Sequence, residues 1–352
     1  MSVPHHKFGP TTIAKLSNPN EISQILDDPW LKNQTIIIKP NWVSTDPADF
    51  TDADTLRVLL EALDSHVIVT ESYMLGRSMN ILKQGLGFTV EGKDVNWQWL
   101  LKGDGWKWLI ENPDWDWFRS GKHWEQIIIE DKKFIDEYGF ADLFNEFNVT
   151  YINVTEEVWN GRIANPTEVK KIVESKYKPV RNKKLYGMVP AKLFDIRNST
   201  FISYARMKMY ASYTIKNLFG MIPDPLRPYW HGPKNSTIVQ NIVDINKIYH
   251  SLFNVFGICE AIYTLPLPDP EGKYEGYVCR YNIYEGSGFV AVGRNLAALD
   301  ALLLYLTDPS IRLIADLNRD PIDLAEDELG LAIDKDVFEE AKVKVGDWIL
   351  PL

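Results

Sequence analysis

Two cysteines, Cys259 and Cys279, are all that the 352 residues hold. No CxxC pair and no Cys/His cluster occurs, so neither a disulfide framework nor a thiolate-held metal cluster is built into the chain. Long apolar runs are missing too. No eighteen-residue apolar stretch occurs, and MSVPHHKFGPTTIAK at the start has no apolar core behind its charges, which argues against a membrane span and a secretory leader. Positive charge is scarce: 38 Lys and Arg stand against 48 Asp and Glu, a formal net charge of −10. General binding to a nucleic-acid backbone needs the opposite balance. Walker loop, HExxH, GxSxG and GxGxxG are all absent, and Glu285-Gly-Ser-Gly288 is only a glycine turn, so no cofactor is assigned. The expectation is a cytoplasmic protein, with no membrane partner.

What is present is a regular exchange of strand and helix periods. Thr35-Ile-Ile-Ile-Lys39 and His66-Val-Ile-Val-Thr-Glu71 read as strands buried on both faces, and Asp52 to Leu63 between them has helical spacing with an aspartate cap. That order makes the two strands parallel. Phe134 to Phe147 reads as helix, Val149 to Asn153 and Thr200 to Tyr204 as extended. Asn241 to Phe253 is helical, and Gly288 to Gly293 is extended before a helix at Asn295 to Leu306. The predicted fold is α/β, an open, mostly parallel sheet with flanking helices and a Trp-rich insertion. The chain divides into an N-terminal half over 1–170 with the insertion at about 88–133, a C-terminal half over 171–310, and an acidic helical tail over 311–352.

The insertion, NWQWLLKGDGWKWLIENPDWDWFRSGKHW, holds seven of the twelve tryptophans. Its units of W-x-W followed by turn residues fit a small meander, with short broken helices as the alternative. A tryptophan face over Trp97–Trp124 would suit a protein or glycan partner. Trp is equally a packing residue, and the same block reads as a mini-core.

Phe201 to Pro223, FISYARMKMYASYTIKNLFGMIP, resembles the signature of the uncharacterised prokaryotic family called domain of unknown function 362. Ile38-Lys39-Pro40-Asn41, Val69-Thr70-Glu71-Ser72, Arg227 to His231 with Ile242-Val243-Asp244-Ile245, and GFVAVGRNLAALD ending in Asp300-Ala301 are similar to further motifs of that family, in the same order. The resemblance implies site residues at these positions, including Lys208. It departs at Lys208-Met-Tyr210, where the family's histidine is missing or replaced by Tyr210. Many members carry a ferredoxin-like cysteine module, and this chain has none. An iron–sulfur-related accessory role is therefore one alternative function.

The residues themselves point to an anion site. Lys39 and Glu71 close apolar strands, where open α/β sheets bind ligands. They can bind an anion and move a proton, or form a plain ion pair. Asn41 follows a rigid Pro and either donates to a ligand or caps its loop. Asp300 has apolar neighbours three and four residues away on either side, which buries its carboxylate. It must then meet Lys39, Lys208 or Lys216, sit in a site, or tether a helix to a loop. Lys216 and Asn217 precede Gly220, which reads as a helix C-terminal glycine. With Lys208, Arg227 and His231 they would line a phosphate or carboxylate pocket. Asp244 and Asp300 are the weak metal candidates. The catalytic set is thus Lys39, Glu71, Lys208, His231 and Asp300, and the ligand-binding set Asn41, Lys216, Asn217 and Arg227. The favoured function is an enzyme of unassigned reaction that binds an anionic small molecule.

Overall fold

Apolar runs form the centre of one sheet. The computed structural model describes residues 2–43, 45, 50–74, 77, 83, 85–100, 102–112, 115–120, 124–207, 212–223, 227–262, 288–307 and 321–348, with the backbone alone for Trp117, Arg227 and Pro228. The strands are β1 (His5–Phe8), β2 (Thr11–Lys15), β3 (Thr35–Lys39), β4 (His66–Glu71), β5 (Gly85–Val90), β6 (Lys93–Asn96), β7 (Thr150–Asn153), β8 (Thr200–Arg206), β9 (Asn254–Ala261) and β10 (Phe289–Gly293). Eight of them form a sheet in the order β1-β2-β10-β9-β8-β3-β4-β7, and β5 pairs with β6 apart from it.

The five central strands from β9 to β7 are parallel, as the strand–helix–strand rhythm requires. β10, β2 and β1 add an antiparallel edge. Successive residues serve opposite faces: Ile37, Ile68 and Phe201 join one core cluster, while Ile36, Ile38, Val67, Val69 and Ile202 join the other. Helices Ile238–Leu252 and Leu296–Thr307 pack in the first cluster, and helices Ala53–Ala62 and Phe140–Glu146 in the second. β3 pairs with β8 at Lys39 and Ser203, so one sheet spans residue 170.

Local signals explain most boundaries. Asp52 accepts from the Thr55 N–H at 2.7 Å and starts the first long helix. Asn295 does the same for Ala298 at 2.9 Å. The single helix expected over 134–147 is instead two, Glu125–Glu137 and Phe140–Glu146, parted at Gly139, whose φ of 78° favours a residue without Cβ.

The tryptophan block is not a meander. Its described part after β6 is helical: Trp97–Leu100, Gly103–Glu111 and Asp116–Ser120, leading into Glu125–Glu137. Gly103 and Gly105 lie within the second of these helices rather than in turns between strands. Trp97, Trp115 and Trp124 are buried in the first core cluster. Trp115 lies edge-to-face 5.5 Å from Trp159 and 5.2 Å from Trp230, and Phe118 sits 4.8 Å from Trp159. The mini-core reading is the one the described residues bear out. Among those residues no helix is long and apolar enough to cross a membrane.

Candidate functional site

The chain runs from β3 outward through β4 to β7, then returns to the other side of β3 with β8 and β9. β3 and β8 therefore flank the point where the winding reverses, and the crevice beyond their carboxyl ends is where such sheets bind ligands. A cleft lies there, with about 740 Å³ of non-protein space, part of it open to solvent. Lys39 and Asn41 enter it after β3, Glu71 and Ser72 from β4, and Ala205 and Arg206 from β8. Lys216, Asn217, Gly220 and Trp230 complete much of the wall.

Lys39 and Glu71 meet as their strand-end positions require, but inside the protein rather than at its surface. Lys39 is 1% exposed and Glu71 2%. The Lys39 ammonium donates to Glu71 Oε2 at 2.5 Å, Asn217 Oδ1 at 2.9 Å and the Pro40 carbonyl at 2.8 Å, which uses all three of its protons. Glu71 Oε1 accepts from the Ser72 N–H at 3.0 Å. Asn217 returns its amide N–H groups to the Lys39 carbonyl at 3.0 Å and Ser203 Oγ at 3.2 Å. Burial pulls the Lys39 ammonium below its ordinary value against the pull of Glu71, and pushes the Glu71 carboxyl up against the pull of Lys39 and Arg77. The two proton affinities are thus moved towards each other, which lowers the cost of passing a proton across the pair.

Gly220 explains the Lys-Asn-Leu-Phe-Gly spacing. It is not the left-handed helix end that its sequence position indicates; it falls in the short 3-10 turn Leu218–Met221 and has no positive φ. A Cβ there would lie 2.5 Å from Glu71 Oε1 and 2.6 Å from Lys39 Nζ. A side chain here would push the Lys39–Glu71 pair out of its present place, and glycine leaves that room.

Several residues of the site escape the sequence reading. Arg206, 1% exposed, donates to the Phe50 carbonyl at 2.8 Å and Asp52 Oδ2 at 3.2 Å, and lines the cleft. The rule that finds Lys39 and Glu71, a charged residue closing a buried strand, applies equally to Arg206 on β8. Arg77 gives no such signal. Its buried guanidinium donates to the carbonyls of Trp42 at 2.9 Å and Ser72 at 2.5 Å and to Asp131 Oδ1 at 2.7 Å. It ties two cleft-lining segments to the helix Glu125–Glu137.

The other expected residues are placed differently. Asp300 is buried, as its neighbours require. Its carboxylate takes the N–H groups of Tyr213, Thr214 and Ile215 at 2.9, 2.9 and 3.0 Å and the Thr214 hydroxyl at 2.7 Å. Of the expected alternatives, a lysine partner, a site or a helix–loop tether, these contacts form the tether, joining the helix Leu296–Thr307 to the turn that carries Lys216 and Asn217. Burial pushes its carboxyl up to about 6 against those donors. Asp244 is neither solvated nor set among metal ligands. It accepts from the Arg181 N–H at 2.7 Å and Lys247 Nζ at 3.1 Å, while Lys247 and Arg181 both reach Glu328 at 2.5 Å. No cluster of three His, Cys, Asp or Glu able to hold a metal occurs among the described residues. His231 is half-buried, with Nδ1 2.9 Å from Asn235 Oδ1 and its ring 5.6 Å from Phe219, a cleft residue. It flanks the cleft without being one of its described lining residues. Asn41 and Lys216 line the cleft. Lys208, Tyr210 and the Arg227 side chain lie outside the described residues. Comparison of the chain with family models, with curated proteins and with solved structures finds no match.

Proposed function

We propose that this protein binds an anionic small molecule, a phosphate or carboxylate, in the cleft beyond β3 and β8, and acts on it as an enzyme. One observation carries the reading: at the reversal point of the sheet, Lys39, Arg206 and Lys216 line a cleft whose one described acidic lining residue is Glu71. Glu71 offsets Lys39, and Asp52 at 3.2 Å and the buried Glu260 at 3.8 Å flank Arg206, so the reading rests on the cationic groups presented by the cleft wall and not on a net positive charge. Lys39 and Glu71 form the proton-transfer couple. Asn217 and Gly220 position it, and Arg206, Lys216 and Asn41 face the ligand. Membership of the family called domain of unknown function 362 belongs to the same proposal, supported by four of its motif residues, Lys39, Glu71, Asn217 and Gly220, meeting in one contact set. So does a cytoplasmic location, supported by a sequence with only two cysteines and no CxxC pair.

The test compares the native mass of anaerobically purified protein with its denatured mass, and follows its melting temperature in inorganic phosphate and in acetate. A discrete extra mass, or a melting temperature that climbs with either anion and not with chloride at equal ionic strength, is expected, because a ligand that binds only the folded state stabilises it. Equal masses together with flat melting temperatures reject the proposal.

A further inference from the structure

Asn217 ends a four-residue helical turn, Thr214–Asn217, which is too short to hold itself. Two buried side chains from separate helices clamp it. Asp300 takes the N–H groups of Tyr213, Thr214 and Ile215. Asn246, 0% exposed on the helix Ile238–Leu252, donates its amide to the Ile215 carbonyl at 2.9 Å. The turn is thus held at its donors and at an acceptor by polar groups from outside it.

Ser203 carries that clamp to Lys39. Its hydroxyl donates to the Thr214 carbonyl at 2.8 Å, which commits the one proton it has. Towards Asn217 the Ser203 oxygen is therefore an acceptor only, and the NH₂ end of the Asn217 amide turns to it at 3.2 Å. The Lys39 carbonyl takes the same end at 3.0 Å. Oδ1 is left to face the Lys39 ammonium, at 2.9 Å. A reversed amide would set NH₂ against an ammonium, two donors with no acceptor between them. A hydroxyl inside β8, where the whole strand is buried, is costly without partners. Strand pairing does not ask for it, whereas the sense of the Asn217 amide does.

We infer that Asp300, Asn246 and Ser203 are positioning residues for Lys39: they fix the turn and the sense of the Asn217 amide, and so keep an acceptor on the Lys39 ammonium that governs how readily it passes a proton to Glu71. This rests on the reading of Lys39 and Glu71 as a proton-transfer couple. None of the three is among the described lining residues of the cleft, so each acts through Asn217 and not on a ligand.

The measurement is the titration of the Lys39 ammonium, followed by the nitrogen-15 signal of its Nζ in the intact protein, with Lys39→Arg identifying the signal. An ammonium that loses an acceptor gives up its proton more easily. Asn217→Ala removes the acceptor outright, and the neutral-amine fraction of Lys39 at a given pH should rise about 10-fold. Ser203→Ala and Asn246→Leu should each raise it about 3-fold, as one lost hydrogen bond allows. Ser203→Thr keeps the hydroxyl and should titrate as the unaltered protein does. A lower melting temperature with the Lys39 titration unmoved in Ser203→Ala and Asn246→Leu would make these residues scaffold alone and overturn the inference. Ser203→Thr shifting as far as Ser203→Ala would overturn it too, because the hydroxyl would not be the cause. Should Asn246→Leu fail to fold, the two Ser203 variants decide. No ligand enters this measurement. Failure to bind phosphate or acetate therefore rejects the proposed function without moving the Lys39 titration, and an unmoved titration overturns the positioning roles while anion binding stands.

Discussion

At the scale of single residues, burial decides what each charged group can do. Asp300 has a carboxylate with two acceptor oxygens, each taking two donors. Asp300→Asn replaces one oxygen with an NH₂ group that faces donors instead of accepting from them. The variant should lose about 2–4 kcal/mol of stability by chemical denaturation, since each buried donor left unmet costs about 1–3 kcal/mol. Retained stability would show that the turn at 213–215 finds other acceptors. His250 gives the pH counterpart. Its Nε2 is sealed without a partner, and burial, with the Lys176 charge adding to it, holds the imidazole down at about 4 against an ordinary 6.5. The unfolded chain therefore takes up the proton first as pH falls. The stability this residue contributes is complete above 6.5 and is lost on the way down towards 4, by up to about 3 kcal/mol. His250→Gln should show a shallower loss over that window, measured by denaturant melts at several pH values. Parallel curves would place the acid sensitivity elsewhere.

Elements show what the sequence can and cannot convey. β3, β4 and β8 are legible because every residue but the first of β3 and β4 is buried, and continuous apolar runs admit little else. The antiparallel β10 is legible as a strand and not as an antiparallel one, because a period of two carries no direction. β1 and β2 are short and polar, HHKF and TTIAK, and are missed for that reason. In the tryptophan block, Gly103 and Gly105 sit inside a helix, so reading glycine as a strand turn misleads there. At the site, strand-end charges are readable, whereas Gly220 depends on atoms about 150 and 180 residues away in sequence and Arg77 on a helix whose placement no local pattern reveals. That helix, Glu125–Glu137, is anchored through Asp131, which also accepts from Tyr151 at 2.9 Å and Asn153 at 2.7 Å. Asp131→Ala strands the Arg77 charge in the interior, at a cost of about 3–5 kcal/mol. Because Arg77 holds the carbonyls of Trp42 and Ser72, phosphate or acetate affinity should fall in the same variant. Stability lost with affinity intact would mean that the cleft walls hold their places without it.

Across the whole molecule, the tryptophan insertion and the cleft form one structure. Trp115 and Phe118 pack against Trp159, and Trp115 also packs against Trp230, a residue of the cleft wall. Removing residues 94–122 would therefore expose old core rather than trim an ornament. The segment buries Trp97, Leu100, Leu109, Trp115 and Phe118, each at most 3% exposed. At roughly 1.5–3 kcal/mol for each large apolar side chain, these five contribute about 8–15 kcal/mol. That range matches the entire net stability of an ordinary domain, about 5–15 kcal/mol. The deleted chain should lose its cooperative thermal transition in circular dichroism and bind an exposed-surface dye, and ligand binding should vanish with the fold. If the shortened protein instead melts cooperatively near the temperature of the intact chain, the insertion is a separable module. The tryptophan contacts to Trp159 and Trp230 would then add nothing to the core, and an independent partner-binding role for residues 97–124 would become the better account of why they are there.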